Sequence, residues 1–212
     1  MKISTIWKIL IGWFLIVCLI FLIAKNYSVF VFGITAPLIL GLLPYFYRNN
    51  IKNFFKRVGL HNVWGFFLVA FIITVLEESY CYILGNEVAY PVLSVDVFLV
   101  FIIWLGWFGT WYFWISKKYS FTSAEAILAA GLPGVLYEYV SKPEFLANPL
   151  GVLIAFPLSA VIYSAIFVIP MQTLDIRGKK TGWRKYFDSL VIPFLISLPL
   201  AIAAILLLGI KV

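Results

Sequence analysis

Between Ile6 and Ile210 the chain is a succession of apolar runs, each near the length of about 20 residues that a helix needs to cross a bilayer. Backbone N–H and C=O groups find no partner in lipid, so such runs fold as helices that satisfy their own hydrogen bonds. Composition agrees: 64% of the 212 residues are hydrophobic and 12% are charged, with a mean hydropathy of +1.04. A water-soluble domain of this size has too small an interior to hide that much apolar surface. The expected fold is all-α, a polytopic transmembrane helical bundle forming one integral-membrane domain over residues 1–212.

Seven spans are expected, near 6–24, 28–47, 64–84, 92–115, 121–140, 149–171 and 190–210. Lys2 and Lys8 flank the first as they would a signal peptide, but the run is long and no small-x-small cleavage site follows, so it reads as an uncleaved helix. The second carries Gly33, Pro37, Gly41 and Pro44, a stripe that admits a close neighbour and bends the helix. The segment Arg48–Arg57 is basic and amphipathic and reads as a surface helix with its aromatic residues turned down. The fourth span is rich in tryptophan, with Trp111, Tyr112 and Trp114 expected at headgroup level.

Lysine and arginine divide 13 to 3 between the two sides that seven spans create. The excess at the N-terminus and in the even-to-odd loops puts the N-terminus inside and the C-terminus outside. These short basic loops meet anionic headgroups on the cytoplasmic side of a cell membrane and form no soluble face for nucleic acid. His61 is the single histidine, and Cys18 and Cys81 both lie within apolar runs, so no His/Cys zinc site exists within the chain.

Acids carry the chemistry. Glu77 and Glu78 stand side by side inside the third span, and Glu138 lies inside the fifth. A charge at bilayer depth costs at least about 2.5–3.5 kcal/mol, so a carboxyl group there needs a cation, a proton or a hydrogen-bond network. At about 1.5 Å per residue, Glu78 and Glu138 fall about 20–24 Å along helices of the same direction, at similar heights in the outer leaflet. Three faces are expected to meet: Ala70, Thr74, Glu78, Cys81, Tyr82 and Gly85; Thr122, Ala126, Ala130, Gly134 and Glu138; and Gly151, Ala155, Ser159 and Tyr163. Thr74, Tyr80, Tyr82, Tyr137, Tyr139, Ser159 and Tyr163 are the hydroxyl groups placed to support the acids. Asp96 and Glu125 stand near helix starts, where a carboxylate balances the helix dipole. His61 is expected among lipid headgroups, and Glu87 and Glu144 in solvated loops.

The Glu77-Glu78 pair resembles two membrane enzyme families. Prenyl-protein endoproteases of the CAAX type open their motif with Glu-Glu, but Tyr82 stands where they have Arg, and Glu138 rather than His ends the PGVLYE stretch. Heterodimer-type lycopene cyclases also end a helix with Glu-Glu, but Leu76 stands where they have Pro, and the Trp-Asp signature is absent. Each resemblance covers about a dozen residues, and no residue role is carried over from either.

Three functions fit this pattern. A small carrier or pore would use Glu77, Glu78 and Glu138 to bind a cation, as a metal ion or a proton, and a bound cation is the one cofactor the pattern admits. An intramembrane enzyme on a lipid, isoprenoid or membrane peptide would use the same glutamates as acid and base. An accessory subunit would turn the small-residue stripes toward a membrane partner or a second copy in a homo-oligomer.

Overall fold

The computed structural model describes residues 3–86, 88–141 and 147–208. Expectations for Glu87 and Glu144 lie outside them. The described residues are helical, with no strand among them; one isolated bridge joins Tyr119 to Lys180.

Helix α1 covers Ile3–Ile23 and α2 Tyr27–Phe46, the latter passing through a π-helical stretch at Pro37–Leu42. Short α3 is Arg48–Arg57. Helix α4 is Val63–Ile83, α5 Leu93–Lys118, α6 Ser123–Ser141, α7 Pro149–Thr173 and α8 Arg184–Leu207. Side-chain caps set several starts: the amide oxygens of Asn26 and Asn62 accept from Val29 N and Gly65 N. Asn148 caps α7 through Leu150 N, with Pro149 in the first helical position.

Six of these helices, α1, α2, α4, α5, α7 and α8, are long and apolar enough to cross a membrane, which makes the chain a multi-pass integral membrane protein. Helix α6 replaces the expected span 121–140. It has 19 residues, but Glu125, Tyr137, Glu138 and Tyr139 leave it less apolar than the others. Its setting accounts for that composition: α6 packs most extensively on α7 and also touches α8 and α1, so little of it needs to match lipid. Helix α1, in contrast, buries only a strip of Leu10, Phe14, Val17 and Cys18 and exposes Ile9, Ile16, Ile20 and Ile23.

Small residues set the seams. A Cβ at Gly131 would overlap the Ser164 backbone, and one at Gly134 would overlap the Tyr163 ring, so α6 and α7 approach at nearly backbone distance. Gly41 backs onto Ala165 in the same way. The aromatic core lies between α4, α5 and α7, around Phe66, Trp107, Phe108, Trp111 and Phe167. Trp111 corrects the headgroup reading. It is fully buried on a π-helical turn, Trp111–Ile115, while Trp114 stays exposed. The wider π turn redirects the face of the helix, so a tryptophan near the end of the span points inward. In α3 only Phe55 turns in; Phe54 is exposed.

Candidate functional site

Glu77 and Glu78 are buried in the last two turns of α4. Their carboxyl groups and that of Asp96, in the first turn of α5, lie within electrostatic reach of one another. Cys81 Sγ, one turn beyond Glu77, lies 3.6 Å from its Oε1. Asp96 is wholly buried and accepts from Tyr90 N at 2.8 Å, pinning the chain that enters α5. Glu138 belongs to a neighbouring lobe. It accepts the Tyr163 hydroxyl at 2.8 Å and lies within electrostatic reach of Glu77. The Tyr163 ring is held between Trp104 and Trp107, with ring centroids 6.2 and 5.5 Å away.

Two oxygens in this cluster, Glu77 Oε2 and Asp96 Oδ2, are buried with no hydrogen-bond partner among the described residues. No lysine or arginine among those residues forms an ion pair with Glu77, Glu78 or Asp96. No group of three His, Cys, Asp or Glu among them is arranged to hold a metal ion.

Of the expected supporting hydroxyls, Tyr163 alone bonds a candidate acid among the contacts seen. Thr74 gives its hydrogen to Ala70 O at 3.0 Å and Ser159 to Ala155 O at 2.9 Å, each back-bonding one turn up its own helix. Tyr80 meets Thr35 at 2.5 Å, and Tyr139 bonds Val152 O at 2.9 Å. Tyr137 stacks on Trp107 at 5.8 Å. Tyr82 is 47% exposed and faces away from the bundle.

Asp96 is the member of the cluster that sequence reasoning assigned elsewhere. A carboxylate in the first turn of a helix has a sufficient local explanation in the helix dipole. The usable signal was the short connection from Gly85 to Val92: it folds α5 back along α4, so the start of one helix must face the end of the other.

A second set of charges ties the opposite end of the bundle. Glu125 and Thr122 form a reciprocal capping box, Thr122 N to Glu125 Oε2 at 3.1 Å and Glu125 N to Thr122 Oγ1 at 3.4 Å. Glu125 also pairs with buried Lys185 at 2.7 Å and accepts the Tyr186 hydroxyl. Asp188 takes Lys118 Nζ at 2.9 Å and the Tyr119 hydroxyl. Asp175 gathers Lys52 at 3.1 Å, Arg177 at 3.3 Å and His61 Nε2 at 3.0 Å. His61 therefore meets a carboxylate rather than headgroups alone; its ring presents ion-pair distance without good hydrogen-bond direction. Partial burial pushes the Asp175 carboxyl up, but His61, Lys52 and Arg177 outweigh it and hold the group below the usual carboxylate range.

Apolar grooves lie elsewhere. One of about 520 Å³ opens between α1, α2, α6 and α7, lined by residues such as Trp7, Phe14, Leu38 and Ala165; another of about 440 Å³ lies between α1, α6 and α7, against Tyr186 of α8. Neither is lined by Glu77, Glu78, Asp96 or Glu138. Comparison of the chain with protein-family models, curated proteins and solved structures finds no match in any of the three.

Proposed function

We propose that this chain is a small carrier of the cell membrane whose buried acid cluster binds protons. The observation that carries the reading is the gathering of three buried acids, Glu77, Glu78 and Asp96, with Glu77 Oε2 and Asp96 Oδ2 left without a hydrogen-bond partner among the described residues. Three neighbouring carboxyl groups in a low-dielectric interior cannot all be ionised without a balancing cation, so the trio would exist by holding or sharing protons. No lysine or arginine among the described residues pairs with Glu77, Glu78 or Asp96, so these acids call for a bound cation, and the lack of a metal-holding set among those residues favours a proton. Glu138 and Tyr163 extend the cluster toward α7. In this reading α6 is the seventh span, the acids face the outer leaflet, and the Lys52, Lys118 and Lys185 end lies inside against anionic headgroups. An enzyme acting on a lipid or isoprenoid is the second reading; such a substrate needs an apolar groove beside its acids, and the two grooves described above lie against α1.

Infrared spectroscopy of the reconstituted protein at neutral pH tests the proposal. The expected result is a protonated-carboxyl band that diminishes in Glu78→Gln and in Asp96→Asn. Proton uptake into proteoliposomes under an imposed gradient should fall in the same variants. A spectrum with no such band, or one unchanged by both substitutions, ends the reading.

A further inference from the structure

Helices α1 and α2 are close together at one height and held apart at another. A Cβ on Gly33 would sit 3.3 Å from Cys18 Sγ, so the pair is in near contact there. Toward the end of the bundle that carries Lys52, Lys118 and Lys185, each helix leans on a different neighbour. Trp7 Nε1 of α1 donates to Ala124 O of α6 at 3.1 Å. Gly41, in the π-helical stretch of α2, backs onto Ala165 of α7, whose Cβ a new methyl group would meet at 2.8 Å. The wedge left between them is the groove of about 520 Å³. Phe14, Ile127 and Val168 wall its depth and are buried, while Ile11, Leu15, Leu38 and Leu42 form lips that stay exposed.

Polar groups gather at the mouth, where Ser4 and Tyr45 stand. Deeper in, the Ser164 hydroxyl is turned onto Gly131. Arg48 lies over the Tyr45 ring, 4.5 Å from its centroid, and spends one N–H on Tyr45 O at 2.8 Å. The rest of its guanidinium is left to donate. Lys8 is exposed, four residues after Ser4 and three before Ile11, on the face of α1 that borders the groove. Neither cation forms an ion pair among the described residues. No acid lines the groove, and Glu125, next to Ala124, is occupied by Lys185 and Tyr186.

Shape and charge together select the occupant. A helix is about 10–12 Å across for its whole length and does not follow walls that converge from Tyr45 toward Cys18. A methylene chain tapers with them, and the volume lies within the range of about 300–1,000 Å³ usual for small-ligand sites. The two free cations at the mouth call for an anionic head on that chain. We propose that the α1–α2 groove binds one anionic phospholipid of the surrounding bilayer, with an acyl chain in the wedge and the phosphate on Arg48 and Lys8. The site is separate from the acid cluster, no member of which lines the groove.

Native mass spectrometry of the full chain tests this, with palmitoyl-oleoyl phosphatidylglycerol and phosphatidylcholine of the same chains as probes. A single phosphatidylglycerol is expected to be held about tenfold more tightly than phosphatidylcholine. Lys8→Gln with Arg48→Gln should erase that preference. Leu42→Trp puts a ring into the groove from its exposed lip and should weaken both lipids, with the unfolding temperature in lipid-free detergent unchanged. Equal retention of the two lipids, or a preference that survives both variants, overturns the site. A dimer that forms in place of lipid binding and is broken by Leu42→Trp overturns it too, in favour of a second copy. A second measurement needs no variant: phosphatidylglycerol with a photoreactive diazirine in its tail should label the parent chain around Leu38 and Ala165. Labelling confined to other faces overturns the site.

Discussion

Tyr163 of α7 gives its hydroxyl hydrogen to Glu138 of α6 at 2.8 Å, and the ring of the same tyrosine leans on Gly134, one turn earlier on α6. Packing and polarity are thus coupled at one residue. Tyr163→Phe keeps the ring and removes the donor. It should lower stability by about 0.5–1.5 kcal/mol, the net worth of one hydrogen bond at a partly buried acceptor. Thermal unfolding in detergent measures this, and an unchanged midpoint counts against the bond.

Gly131→Ala should be more damaging than its size suggests, because the new methyl group meets the Ser164 backbone, which cannot rotate away. Overpacking of this kind costs about 1–3 kcal/mol. Gly12→Ala is the control: nothing lies within 4 Å of its added carbon, and alanine favours helix by about 0.5–1 kcal/mol. Opposite shifts in the unfolding midpoint are expected.

Asp96→Asn and Asp96→Ala should separate. Asparagine keeps an oxygen to accept from Tyr90 N and can donate to Glu78, so the fold survives while a shareable proton is lost. Alanine removes the anchor of the chain entering α5, at about 1–3 kcal/mol. Hydrogen exchange at the Tyr90 amide reads the difference.

Lys185→Met strands Glu125 in a site where both side chains are nearly buried, 10% and 13% exposed. Breaking such a pair costs about 3 kcal/mol or more, whereas removing both charges is often nearly neutral. The double variant Glu125→Gln, Lys185→Met should therefore recover most of the lost unfolding temperature. Failure to recover would show that the lysine matters through its contacts to Ser120 O and the Phe121 ring instead.

Asp175 predicts an acid limb in stability. Its carboxyl is held below the usual range in the folded chain, whereas in the unfolded chain it titrates near about 3.9. The stabilisation from Lys52 and Arg177 is complete above that value and is lost as pH falls through the lower folded value. Asp175→Asn should lower the midpoint at neutral pH and flatten this part of the profile, as thermal unfolding between neutral and strongly acidic pH will show.

The sequence alone determined the solvent. Long apolar runs without backbone partners in lipid leave helices as the one local solution, and six of the expected spans reappear as helices long and apolar enough to cross. It also marked Glu77, Glu78 and Glu138, because a carboxyl inside an apolar run is costly wherever the helix ends up. Gly134 and Tyr163, one residue from each expected stripe, do meet at the α6–α7 seam, whereas the close contact of Gly131 with Ser164 lies outside both stripes. Tertiary structure decided the rest, because rotation and pairing of helices are set by contacts distant in sequence. It brought Asp96 to Glu78 across a hairpin, turned Trp111 inward through a π turn, and gave His61 to Asp175 over more than a hundred residues. It also sent Thr74 and Ser159 to carbonyls of their own helices and left Tyr82 facing outward, distinctions that helical periodicity cannot draw within a single face.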